Sequence, residues 1–174
     1  MLTGKQSHSR ALSASHEHYL RAIYQVRVQR GYARLTDVAR ELGVAPPTLF
    51  VGLRALEARG LILHDDHRFL LLTPAGERVA QQVHHRFAVT RAFLRDVLGV
   101  PDAQAIADAC LLEHDLSAAS TERLLDLLKL LREDDELRKF FAGRFARYHR
   151  ACGPAASECS QCDLACFSDA RAQS

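Results

Sequence analysis

Residues 35–72, LTDVARELGVAPPTLFVGLRALEARGLILHDDHRFLLL, decide the fold. Thr36 is the expected N-cap of a short helix, its hydroxyl placed to accept an orphan backbone N–H. Val38, Ala39 and Leu42 then share one face before Gly43 stops the helix. Pro46 and Pro47 fit only a first helical turn, where a missing N–H costs nothing, so a second helix is expected from Ala45 to Arg59 with Leu49, Leu53 and Leu56 inward. Gly60 ends it. The apolar arms Leu61 to Leu63 and Phe69 to Leu72 flank Asp65, Asp66 and His67 and read as a hairpin. Helix, turn, helix and hairpin in that order make a winged helix-turn-helix, whose second helix enters the major groove of DNA.

The flanking sequence extends this reading. Ser15 to Gly31 places Tyr19, Leu20, Ile23, Tyr24 and Val26 on one stripe and supplies the domain's first helix. Thr73 and Pro74 open a long helix expected to run through Val83, Phe87 and Val97 to Leu98, with Gly99 as its stop. Further helices are expected from Ala103 to His114, Ser117 to Leu131 and Asp134 to Arg150. In RLLDLLKLL, residues 123–131, there are more leucines than one core face needs, and the surplus is the expected contact with a second subunit, a homodimer being the natural reader of a two-fold symmetric site. The fold class is therefore mainly α. It comprises an arm over residues 1–14, a winged helix-turn-helix with a two-stranded wing over 15–73, a helical metal-binding and dimerisation domain over 74–150, and a Cys-rich tail over 151–174.

The 174 residues carry a formal charge of only +2. Split at Val100 the balance is uneven. The first hundred residues hold 14 Lys and Arg against 8 Asp and Glu, the remainder 9 against 13. The basic excess falls on the half with the DNA reader, as phosphate contact requires. The N-terminus MLTGKQSHSRALSAS lacks the apolar core of a secretory signal, and nothing approaches the run of about 18 apolar residues that spans a bilayer, so a cytoplasmic protein is expected. The chain carries no nucleophile elbow, Gly-rich phosphate loop or HExxH motif and is not expected to be an enzyme.

Four segments taken together, HEHYLRAIY at 16–24, the winged segment, LTPAGERVA at 72–80 and ACLLEHDLS at 109–117, resemble the diphtheria toxin repressor and manganese transport regulator family of metal-dependent transcriptional repressors. The resemblance covers Ser15 to Leu131. It implies a DNA-binding repressor that holds Fe²⁺ or Mn²⁺ between its winged domain and its dimerisation helices, the metal favouring the DNA-bound form. The family's ligand positions fall on His18, Cys110, Glu113 and His114, and the last three lie at i, i+3 and i+4, one face of a helix. The mixed S, N and O donors admit Fe²⁺, Mn²⁺, Co²⁺ or Zn²⁺ and lean away from Mn²⁺ towards Fe²⁺ or Zn²⁺. Positions of a second ion in the family fall on Phe87, Arg91 and Ile106, none of them a ligand, and Arg21 stands where manganese-type relatives carry Glu. His84 and His85 lie one turn before Phe87, within reach of that position after a small register shift.

On the DNA side, Thr48, Phe50 and Val51 are the expected base readers, and Arg34, Arg40, Arg54 and Arg68 the expected phosphate contacts. Cys152, Cys159, Cys162 and Cys166 are spaced Cys-x6-Cys-x2-Cys-x3-Cys, in a tail too poor in apolar residues to form a core. Such spacing fits an iron–sulfur cluster or structural Zn²⁺, and free thiols are the third possibility. Two alternatives to a metal-dependent repressor stay open at this point: an iron–sulfur or redox-sensing regulator that uses the tail, and a metal-handling or partner-binding winged-helix protein.

Overall fold

The computed structural model describes residues 12–65 and 69–151. Seven α-helices and one two-stranded antiparallel sheet appear among them, in the order α1 (Ala14–Arg30), α2 (Leu35–Leu42), α3 (Pro46–Ala58), β1 (Ile62–His64), β2 (Leu70–Leu72), α4 (Pro74–Ala92), α5 (Asp102–Leu112), α6 (Ala118–Glu133) and α7 (Asp135–Ala151). Contacts group the chain into two compact units, 1–124 and 125–174.

In the first unit, the stripe expected of α1 packs inward: Leu20, Ile23 and Val26 meet Val38 and Ala39 of α2, Leu49, Leu53 and Leu56 of α3, Ile62 and Leu70 of the sheet and Ala80 of α4 in one core. Each fully buried Leu or Ile contributes roughly 1.5–3 kcal/mol by its removal from water. Ser13 caps α1 by accepting from the His16 N–H, and Gly31 closes it at φ 82°.

The turn elements correct several expectations. α2 starts at Leu35 with Arg34 as its N-cap and no side-chain cap, so Thr36 lies inside the first turn. The approach to α2 is fixed from the wing instead: Leu70 N–H donates to the Ala33 carbonyl at 2.8 Å, and Arg34 bridges to Phe69. The Arg34 carbonyl then takes the Asp37 and Val38 N–H groups, starting the helix two residues earlier than a cap at Thr36 would. The hairpin pairs Ile62 with Leu72 and His64 with Leu70, one residue further along the first arm than expected. Leu61 is drawn out of the ladder because its carbonyl accepts from the Thr73 N–H and hydroxyl, at 3.0 and 3.2 Å. Gly76 of α4 sits against that same carbonyl so closely that a Cβ there would lie 1.9 Å from it.

Thr73 caps α4, accepting from Gly76 N–H at 3.1 Å, with Pro74 in the first turn. The helix does not continue as α to Leu98: Phe93–Val97 form a π turn, closed by Leu98 N–H on the Phe93 carbonyl at 3.2 Å. Beyond it, Arg91 clasps Asp102 at 2.8 Å to either carboxylate oxygen, fastening the start of α5 to the end of α4. α5 ends at Leu112, two residues before the expected limit. Glu113 nevertheless keeps right-handed helical angles, and its N–H still bonds the Ala109 carbonyl at 3.0 Å, so the directions expected for residues 110, 113 and 114 are retained.

In the second unit, α7 starts where the Asp134 carboxylate accepts the Leu137 N–H at 2.8 Å, and the Phe141 and Phe145 rings stack at 6.0 Å. Along the leucine-rich helix α6, Leu128 and Leu131 are buried and Leu130 is exposed. No helix among the described residues is long and apolar enough to cross a membrane. Residues 1–11, Arg68 and the four tail cysteines lie outside the described residues.

Candidate functional site

Three of the four residues marked as ligands meet. One nitrogen each from His18 and His114 and one oxygen of Glu113 lie within 4.8 Å of one another. His18 comes from α1, Glu113 and His114 from the turn that ends α5. Helices α1 and α5 both pack on α4, which brings the two together. Glu113 is completely buried, which a carboxylate tolerates only with compensating charge or metal. Its Oε1 is approached by His18 Nε2 at 3.1 Å, Arg21 Nε at 3.3 Å and His114 Nε2 at 3.5 Å. All these atoms are nonetheless buried without a well-directed hydrogen bond, and Glu113 Oε2 has none either. Polar atoms that converge yet leave one another unsatisfied fit a cation between them.

The surroundings orient the trio. His114 Nδ1 pairs with Glu17 Oε2 at 3.0 Å, which leaves Nε2 facing Glu113 with its lone pair available. Glu17 is in turn held by Arg86 Nη2 at 3.0 Å, while Arg86 Nε donates to the Glu113 carbonyl at 2.6 Å. Cys110, the fourth expected ligand, lies beside the trio: its Sγ accepts from Arg21 Nη2 at 3.3 Å. The side chains of Cys110 and then Glu113 push the His18 pKa up to about 9, against burial and the charge of Arg21, so the ring is protonated at neutral pH.

The positions noted as departures are also placed. Phe87 is buried beneath the Arg21 guanidinium, 4.2 Å from ring centroid to Cζ. Arg91 holds Asp102, and Ile106 is partly exposed. His84 does not join the trio. Its ring lies 5.3 Å from that of Tyr24, and burial followed by the charge of Arg21 lowers its pKa. His85 is exposed.

The other expected surface lies on α3. Thr48, Phe50, Val51 and Arg54 are all exposed, on the face opposite the buried Leu49, Leu53 and Leu56. Arg34 projects over Tyr32 and Phe69, with Cζ 5.4 and 5.1 Å from their ring centroids. Arg40 stays exposed and pairs with Asp37 at 3.3 Å. Behind α3, the Tyr19 ring of α1 lies against Gly52, where a Cβ would fall 2.4 Å from Tyr19 Cε2.

Comparison with known proteins bears on both surfaces. Residues 11–70 match the N-terminal DNA binding domain of the iron dependent repressors, and residues 73–139 match their metal binding and dimerisation domain. The transcriptional regulator MntR of Bacillus pumilus is 32% identical over 122 residues, 70% of this chain and 84% of that protein. MntR of Bacillus subtilis is 31% identical over 125 residues, 72% of this chain and 87% of that protein. The chain belongs to the metal-dependent transcriptional repressor family. Among solved structures, the repressor resembles T. acidophilum IdeR in fold, with a TM-score of 0.59 at 22% identity over 69% of this chain and 55% of that one. The manganese regulator SloR gives a TM-score of 0.59 at 25% identity over 66% of this chain and 53% of that one. The chain thus spans about half the length of those two solved proteins. Members of this family are DNA-binding transcriptional regulators, not enzymes.

Three residues around the trio carry no role in the sequence analysis: Glu17 and Arg86 are not singled out there, and Arg21 enters only as a departure. Glu17 lies one residue before His18, and a carboxylate near a liganding imidazole is a usual orienting partner. For Arg21 and Arg86 no local pattern exists, because their partners are 89 and 27 residues away.

Proposed function

We propose that this repressor-family protein is a homodimeric, iron-responsive regulator of the cytoplasm that docks α3 in the DNA major groove when one divalent ion is held by His18, Glu113 and His114. The observation that carries the reading is the buried, unsatisfied Glu113 carboxylate facing two imidazole nitrogens from different elements. Such an ion supplies a compact double charge that ties α1 to the end of α5. SloR is a manganese regulator, and a TM-score of 0.59 at 25% identity bears on fold more than on metal. Two imidazoles and one carboxylate, with the Cys110 thiol alongside as a fourth donor, suit Fe²⁺ better than Mn²⁺, which binds N and S donors weakly.

The chain's own residues do the remaining work. Glu17 holds His114 in the tautomer that leaves Nε2 free, and Arg86 holds Glu17 and the Glu113 backbone together. His18 releases a proton on ligation. On α3, Thr48 offers a hydroxyl to base edges and Phe50 and Val51 offer apolar contact to thymine methyls, with Arg34, Arg40 and Arg54 meeting phosphates. Few of these groups read bases by hydrogen bonding, so DNA shape supplies part of the discrimination. The exposed apolar side chains of Ile106, Leu111 and Leu112, Leu111 being 73% exposed, are the candidate subunit contact from the first unit.

Anaerobic gel-shift titration tests the reading, with chelator, Fe²⁺, Mn²⁺ and Zn²⁺ added in turn to the parent and to His114→Ala. Ion-dependent binding by the parent, with Fe²⁺ effective at the lowest concentration and the variant unresponsive, is the expected result. Equal binding in chelator and in every ion would overturn it.

A further inference from the structure

Arg21 is the least ordinary residue of this centre. It is a cation only 8% exposed, on the turn of α1 that follows His18. Its guanidinium lies over the Phe87 ring of α4, donates to Cys110 Sγ of α5 and stands 3.3 Å from Glu113 Oε1. That distance nearly equals the approach of His18 to the same oxygen. Three elements therefore meet on one permanent positive charge, since a guanidinium does not lose its proton in a protein.

Both carboxylates around it are already matched by permanent cations. Glu113 is faced by Arg21 and Glu17 by Arg86, so each carboxylate of the cluster has an arginine partner before any ion arrives. A divalent ion among His18, Glu113 and His114 brings two positive charges beside the guanidinium in exchange for the one proton that His18 releases, in a largely buried place where water and salt screen little. The hydrogen bond from Arg21 to Cys110 and its ion pair with Glu113, which steady those two side chains, are the smaller effect. We propose that Arg21 is a resident cation of the centre, which keeps α1, α4 and α5 joined in the absence of metal and lowers the affinity for a divalent ion. This inference rests on the metal reading above, and makes Arg21 the residue that sets the ion concentration to which the protein responds.

Calorimetric titration with Co²⁺ at neutral pH separates the two ideas. Arg21→Met keeps the apolar stem over Phe87 and removes the charge; it should bind Co²⁺ at least about tenfold more tightly than the parent. Arg21→Lys keeps the charge and should stay within about threefold of the parent. Circular dichroism melts accompany both, and Arg21→Gln serves the same purpose if the Met variant does not fold. Weaker or unchanged binding in the neutral variants overturns the proposal, as does an equal gain in Arg21→Lys, and either result leaves the metal reading intact. If parent, neutral variants and His114→Ala all fail to bind Co²⁺, the metal reading itself falls, and this inference with it.

Discussion

His18 carries a proton that an arriving ion has to displace. Its pKa stands near 9 against an ordinary 6.5, and ligation needs the neutral ring. Metal affinity should therefore climb by up to about tenfold per pH unit as pH rises towards about 9 and level off above, with one proton released per ion bound below that pH. Without metal the sign reverses. A pKa raised in the folded state means that the stabilisation from this contact is fully present below about 6.5 and is lost as pH rises through about 9. Melting temperatures of metal-free protein across that window, beside calorimetry at the same pH values, test both; affinity that is flat with pH removes His18 from the ligand set. Glu17→Gln probes the orientation of His114. The amide offers only a neutral partner to Nδ1 and to Arg86, so divalent-ion affinity should drop by roughly tenfold to a hundredfold at unchanged stoichiometry. Unaltered affinity would make Glu17 a mere surface partner of Arg86.

Between elements, the joint of wing and long helix is the tightest. Gly76 faces the Leu61 carbonyl at a distance that admits no side chain, and that carbonyl also serves Thr73. In Gly76→Ala the backbone of either the wing or α4 has to shift, at a cost of about 1–3 kcal/mol or more, read as a lower midpoint in urea unfolding. A midpoint equal to the parent's would mean that the joint yields freely. On α3, Thr48→Ala should narrow the gap between specific and nonspecific DNA, whereas Arg54→Ala should weaken both alike and flatten the salt dependence by about one unit of log-log slope. Swapped phenotypes would reverse the roles given to the two side chains. Most of these elements were legible in the sequence because their signals are local: the double proline, the glycine stops and the three-leucine stripe of α3 each act within a few residues. The cap of α2 and the extent of the hairpin arms were not, since each is decided by backbone bonds to a distant partner, as Leu70 to Ala33 and Leu61 to Thr73 illustrate; the π turn, closed locally by Leu98 on Phe93, has no distinguishing residue pattern. The centre was legible to the same degree. The family resemblance marked His18, Cys110, Glu113 and His114, the last three at a spacing that shares one helix face, while the convergence of Arg21 and Arg86 on Glu113 required the tertiary fold.

At the level of the whole chain, the candidate ion site and the candidate DNA-reading helix α3 are both tied to one helix, α1. His18 and Tyr19 are consecutive on α1 and hence about 100° apart around its axis, the first turned to Glu113 and the second to α3. At the far end the tyrosine ring rests on Gly52, with no side chain between it and the helix backbone. A close-packed contact of that kind transmits displacement without slack, because there is no rotamer on the receiving side to absorb it. A pull on His18 would reach the middle of α3 through α1 and the Tyr19 ring, as a cam moves its follower. Amide exchange at Gly52 should then slow when Co²⁺ is added to the parent, and stay unchanged by Co²⁺ in Tyr19→Ala even though the ion still binds. Exchange that slows equally in both would assign the transmission to another route. With the contact intact, α3 is held from behind by the helix that carries His18, and sensing and docking would become two ends of one lever.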